Sequence, residues 1–79
     1  MRRRVVKVSP LPNYSAEEIK AIRLTLNLSQ SSFADLMGVS SKTVEAWESG
    51  KNTPYGSAQR MLELLKNDYK LVEKYVIGN

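Results

Sequence analysis

The sequence predicts an all-α fold: a compact domain of five short helices behind a basic N-terminal arm that is either flexible or strand-like. Three observations predict it. Apolar residues recur three and four apart through most of the chain after residue 15, the spacing that builds one face of a helix. A hydroxyl residue able to cap a helix (Ser15, Ser29, Ser40, Thr53) stands before four of these runs. Two of the runs end in a glycine, Gly38 and Gly50, the residue that most cheaply adopts a left-handed stop. The length of 79 residues suits one small domain near the lower limit for a self-sufficient core.

The arm is residues 1–14 and the helical domain residues 15–79. In the arm, Val5, Val6 and Val8 around Lys7 fit a short strand, and Pro10 and Pro12 then forbid regular pairing or helix. Three readings of it stand side by side: a solvated tail, minor-groove or phosphate contact by Arg2, Arg3, Arg4 and Lys7, and pairing of the valines with a partner's sheet edge. Helix one opens on a capping box, Ser15-Ala16-Glu17-Glu18, with the acids on the positive end of the helix dipole. Its core stripe is Ile19, Ile22 and Leu26, and Tyr14 is placed to staple onto Ile19. Arg23 lies on nearly the same face, so it either pairs, with Glu48 as the candidate, or extends its head to water.

Helices two and three occupy residues 28–51, LSQSSFADLMGVSSKTVEAWESGK, around which the domain is organised. Ser29 caps the first, Gln30–Met37, which turns Phe33, Leu36 and Met37 inward. Gly38 stops it, Val39 plugs the turn, and Ser40 caps the second, Ser41–Ser49, whose Val44 and Trp47 point inward three apart. That leaves Ser41, Lys42, Glu45 and Ala46 facing out, short or hydrogen-bonding side chains on the first turns of a helix. Two short helices joined by a glycine turn, the second presenting such residues, form a helix-turn-helix pattern; the plainer reading is two solvated helices of a small bundle. Thr53 and Pro54 suit the cap and first position of helix four, about residues 54–66, with Ala58, Met61, Leu62 and Leu65 buried. Gly56 in its first turn either admits a close backbone or is a tolerated surface glycine. Asn67 or Asp68 caps helix five, residues 69–77, which is more apolar than one side needs; the excess packs within the domain or forms a dimer surface.

Composition narrows the function classes. Cysteine and histidine are both absent, which removes disulfides, thiolate chemistry and the commonest metal ligands and acid–base groups. No apolar run approaches the roughly 20 residues of a membrane span, and the valines after the arginines are too few for a signal peptide. With no glycine-rich phosphate loop and no carboxylate pair on an obvious cleft, the expectation is a cytoplasmic protein without enzymatic activity, cofactor or metal. The net charge of +4 belongs to the arm: from Ser9 onward eight basic residues balance eight acidic ones. Affinity for nucleic acid must therefore come from where charges sit, chiefly Lys42 and Lys51 beside helix three and the four basic residues of the arm.

The string IRLTLNLSQSSFADLMGVSSKTVEAWESGKNTP, with SAQRMLELL after it, resembles the phage Cro/repressor class of helix-turn-helix proteins, the XRE family. The segment KTVEAWESGKNTPYGSAQRMLELL is similar, more narrowly, to HigA-type antitoxins that partner RelE-like toxins. The resemblance spans about residues 15–66. It implies a phage repressor-like five-helix domain that binds double-stranded operator DNA as a homodimer, and a RelE-like toxin as a further partner. It implies Ser41, Lys42 and Ala46 toward bases with Glu45 beside them, and Gln30, Ser40, Thr43, Lys51 and Asn52 at phosphates. It also places Arg23 and Glu48 where family members carry a buried ion pair. Many phage repressors have glutamine at the first two reading positions; here Ser41 is a tolerant reader, and Lys42 favours guanine or a phosphate. A protein-interaction module without DNA binding is the competing reading, favoured by the neutral body and by Glu45 on the reading face.

Overall fold

In the computed structural model, which describes residues 3–77, four α-helices follow the arm: α1 (Ala16–Thr25), α2 (Gln30–Met37), α3 (Ser41–Ser49) and α4 (Ser57–Asn67). A single 3-10 turn, Tyr69–Val72, comes after them. Among the described residues there is no strand.

The helix starts follow local chemistry. At α1 the Glu18 N–H donates to Ser15 Oγ (3.1 Å) while the Ser15 N–H donates to Glu18 Oε1 (2.8 Å), so two otherwise orphaned donors are satisfied reciprocally. Ser29 and Ser40 accept from the N–H groups of Ser32 (3.0 Å) and Thr43 (3.2 Å). The ends of α1, α2 and α3 share one device. Beyond α2, Gly38 sits at φ +75°, and the N–H groups of Gly38 and Val39 turn back to the carbonyls of Asp35 (3.3 Å) and Ala34 (3.0 Å). Beyond α1 the same left-handed position, φ +58°, is held by Asn27. Asparagine tolerates this conformation better than other side chains, so it can stop a helix where no glycine is present.

Ile19 and Ile22 of α1, Phe33 and Ala34 of α2, Val44 and Trp47 of α3, and Leu62 and Leu65 of α4 form one buried core, closed by Val72 from the 3-10 turn. Leu26, Leu36, Met37 and Ala58 are half-buried against it, and Met61, expected inside, is 38% exposed.

Three expectations are corrected. Helix four does not start at Pro54. Pro54 is buried in the preceding loop, and Gly56, at φ +65° and ψ −124°, interrupts any helix passing through it. A Cβ on Gly56 would meet no atom within 4 Å, so the backbone angle, and not a close neighbour, calls for glycine there. The expected α-helix over residues 69–77 is replaced by the 3-10 turn and turns beyond it, with Tyr75 and Val76 N–H groups returning to the Val72 carbonyl at 2.9 and 3.0 Å. Only Val72 of this segment is buried. A helix of two turns needs tertiary packing to persist, and here one side chain supplies it. The strand-like alternative for the arm is likewise not seen: residues 3–10 have no regular structure, and Val5, Val6 and Val8 are exposed.

The later part of the arm is held. Arg60 Nη2 donates to the Ser9 carbonyl (2.6 Å), and Gln59 Nε2 donates to the Pro12 carbonyl (3.0 Å). Gln59 Oε1 meanwhile accepts from the Gly56 N–H (2.9 Å), so one side chain serves the start of α4 and the arm together.

Candidate nucleic-acid interface

The candidate interface is the exposed side of α3 with the ends of its neighbours. Val44 and Trp47, 0% and 5% exposed, are driven into the core by their apolar area. Helical geometry then leaves little choice for the rest of α3. Ser41, Lys42 and Glu45 are exposed and Ala46 is half-buried beside them. The N–H groups of Ser41 and Lys42 belong to the first turn, where a helix has no acceptor of its own to offer, so they and the positive end of the dipole face whatever approaches.

The remaining sequence-predicted residues lie around this face. At the N-terminal end the Ser40 and Thr43 hydroxyls are 2.9 Å apart and hydrogen-bonded to each other. At the far end the chain passes Gly50, φ +80°, and the N–H groups of Lys51 and Asn52 both return to the Ala46 carbonyl (3.0 and 3.2 Å). Those bonds leave the exposed side chains of Lys51 and Asn52 standing past the helix end. The nine residues of α3 span about 14 Å, close to the ~12 Å width of a B-DNA major groove. Ser40 and Thr43 thus lie at one end of α3, and Lys51 and Asn52 at the other. Arg3, Arg4 and Lys7 are exposed along the arm; Arg2 lies outside the described residues.

Beneath the face, Arg23 and Glu48 form a two-pronged ion pair, Nε to Oε2 at 2.7 Å and Nη2 to Oε1 at 2.9 Å, with side chains 11% and 5% exposed. Arg23 Nη1 also donates to the Leu28 carbonyl at 2.9 Å. One guanidinium thus joins α1, the α1–α2 link and α3, which fixes the angle at which α3 is presented. Gln30 is drawn into the same network, its Nε2 donating to Glu48 Oε1 at 3.2 Å. This half-buried amide still has a second N–H and its oxygen for another partner. Sequence reasoning missed the Gln30–Glu48 bond and the hold of Gln59 and Arg60 on the arm. The partners in these bonds are 18 to 51 residues apart, and no local spacing connects them.

Burial raises the affinity of the Glu48 carboxylate for a proton. Hydrogen bonds from Arg23 and Gln30, with the charges of Arg23 and Lys20, more than offset this and hold the group below the usual carboxylate range. Arg23 is correspondingly raised, chiefly by its bond to Glu48. Because the folded-state pKa of Glu48 is the lower one, its contribution is fully present above the ordinary value of 4.5 and is lost as pH falls through the folded value. Glu18, lowered by the Ser15 N–H, acts in the same direction. The melting temperature is expected to fall as pH drops from roughly 6 to 3, and Glu48→Gln to flatten that slope. Parallel melting curves for the two proteins over this range would assign the acid lability elsewhere.

Comparison with known proteins agrees with this geometry. The family model described as helix-turn-helix matches residues 19–68, more than half of the chain and the span from the first core residue of α1 to the end of α4. Antitoxin HigA-2 of Vibrio cholerae serotype O1 is 43% identical over 54 residues, which are 68% of this chain and 52% of that protein. The chain therefore spans about half the length of this curated relative.

Proposed function

The chain belongs to the XRE-type helix-turn-helix family of DNA-binding regulators, and on that premise we propose that it is a sequence-specific repressor, the antitoxin of a two-component toxin–antitoxin pair that represses its own operon. One observation carries the reading of DNA: Val44 and Trp47 are buried, which turns Ser41, Lys42 and Glu45 out to open solvent on the first turns of α3. In this proposal two copies set their α3 helices about 34 Å apart on an inverted repeat, one duplex turn. Lys42 donates to guanine or to a phosphate, Ser41 accepts several bases, Ala46 touches a thymine methyl, and Glu45 borders them. Gln30, Ser40, Thr43, Lys51 and Asn52 hold the backbone and set the register. The antitoxin part rests on the likeness to HigA-2, and a RelE-like toxin is the partner it points to.

The test is a gel shift with DNA from upstream of the gene. Retardation that survives competitor DNA, with a footprint on an inverted repeat, is the expected result; no sequence-dependent retardation at moderate salt overturns the proposal and favours a protein-interaction module. Deleting residues 1–8 removes all four basic residues of the arm and is expected to flatten the dependence of affinity on salt, by about one unit of slope for each phosphate the arm neutralises. An unchanged slope would mean that the arm does not touch DNA. A second reading is a solitary regulator of the same helix-turn-helix family. Co-expression with the product of the neighbouring gene separates the two: a toxic product neutralised in a stable complex supports the antitoxin, and a harmless one supports the solitary regulator.

A further inference from the structure

The bonds that hold the arm on α4 have no part in the interface described above. Gln59 Nε2 donates to the Pro12 carbonyl (3.0 Å) and to Asn13 Oδ1 (3.2 Å). Arg60 donates through Nη2 to the Ser9 carbonyl (2.6 Å) and through Nη1 to Ser9 Oγ (3.3 Å). Both side chains are themselves fixed. Gln59 Oε1 accepts from the Gly56 N–H (2.9 Å), and Glu63 Oε1 accepts from Arg60 Nη1 at 2.6 Å. Two adjacent residues of α4 therefore grip the arm at two points, Ser9 and Pro12.

The grip gives the arm a direction. Tyr14, at its inner end, lies under the Lys66 ammonium, 5.6 Å from the ring centroid. Pro12 meets Gln59, seven residues and about 10 Å of helix nearer the start of α4. The arm thus runs back along α4 toward its N-terminus, which the loop of residues 50–56 joins to the end of α3. Between the gripped points the sequence is Ser9-Pro10-Leu11-Pro12. Each proline fixes its own φ and keeps the residue before it extended, so the segment is stiff and the direction persists to Ser9. Beyond Ser9 the arm is open. Val5, Val6 and Val8 are exposed, and neither salt bridge among the described residues uses Arg3, Arg4 or Lys7. From Ser9 to Arg3, six residues in extended form reach about 20 Å.

We infer that Gln59 and Arg60 are positioning residues for DNA binding: they hold the base of the arm beside the start of α4, so that Arg3, Arg4 and Lys7 reach phosphates beyond the Lys51–Asn52 end of α3. The charge pattern selects a polyanion as the arm's partner. The first acid of the chain is Glu17, and from Ser9 onward the charges balance, so the arm carries the positive excess that a phosphate backbone attracts. A held arm has given up part of its freedom before binding, and less ordering remains to be done when it closes on the duplex. The inference rests on the repressor reading and adds where the arm lands and what aims it.

Operator affinity, measured by fluorescence anisotropy in two backgrounds, tests this. In the full chain Arg60→Ala is expected to weaken binding about tenfold. In the protein lacking residues 1–8 it is expected to change nothing, because no arm is left to aim. Gln59→Glu keeps the acceptor for the Gly56 N–H, loses the donors to Pro12 and Asn13, and is expected to behave as Arg60→Ala does. An equal loss in both backgrounds would mean that Arg60 acts only through the fold. No loss in either would separate the arm from DNA and point to a protein as its partner. Both results overturn the inference. Because the chain has no cysteine, Val5→Cys offers a single attachment point for an iron chelate that cleaves nearby DNA. Cleavage is expected in one cluster per half-site, and Arg60→Ala is expected to disperse it; dispersed cleavage with Arg60 in place overturns the inference as well. Failure of the repressor reading shows separately: the full chain with Arg60 intact would then show no preference for its upstream DNA.

Discussion

Arg23→Leu is expected to destabilise the domain by about 3–5 kcal/mol, a large part of the roughly 5–10 kcal/mol that holds a domain of this size together. The loss comes from what stays behind. The Glu48 side chain is 5% exposed and would be left without the two guanidinium bonds that compensate its buried carboxylate, and the Leu28 carbonyl would lose its donor. Glu48→Leu is expected to be harmful for the converse reason, with a guanidinium left 11% exposed. The double variant Arg23→Leu/Glu48→Leu, with no buried charge remaining, should lose much less than the sum of the single changes, giving a coupling of about 1–3 kcal/mol in urea titrations. Additive losses, each under about 1 kcal/mol, would show that the pair behaves as a surface ion pair. The double variant also separates stability from presentation of the reading helix. Gln30 would lose the carboxylate that orients its amide, so operator affinity is expected to drop even where the fold is recovered.

Lys42→Glu is expected to reduce operator affinity by at least a hundredfold while leaving the melting temperature within the small range of surface substitutions. Lys42 is exposed on the first turn of α3, so its replacement disturbs no packing. The change removes a donor worth about 1–3 kcal/mol and sets a carboxylate against the phosphate field, one helical turn from Glu45. Lys42→Ala takes away the donor alone and is the more informative control. A loss confined to sequences with one particular base pair identifies base reading, and an equal loss on all sequences identifies a phosphate partner. Wild-type affinity in Lys42→Glu would remove α3 from the interface.

How much of this could be read in advance divides along the chain. The starts of α1, α2 and α3 were legible because each depends on a serine within three residues of the N–H it caps. The start of α4 was misread because Thr53 and Pro54 make a plausible cap, and only the backbone angle at Gly56 shows that the helix begins later. The residues beyond Asp68 misled in the opposite way. Their apolar content signals burial, but a helix there depends on having something to lie against, and packing is not written in local spacing. At the interface, the outward set on α3 followed from where Val44 and Trp47 had to go. The engagement of Gln30 with Glu48 did not, because it depends on how α2 and α3 meet.

The helical class, the caps and left-handed stops around the central pair of helices, and the division of α3 into a buried and an open side are all properties of local sequence. All of these are decided by residues within a turn or two of one another, where hydrogen-bond reach and the 3.6-residue period leave few alternatives. The hold of Gln59 and Arg60 on the arm, the entry of Gln30 into the Arg23–Glu48 pair, and a last segment that frames a groove instead of forming a fifth helix arise from long-range packing. Those outcomes depend on which distant surfaces come together, and chain segments tens of residues apart are related only by the packing of the whole core.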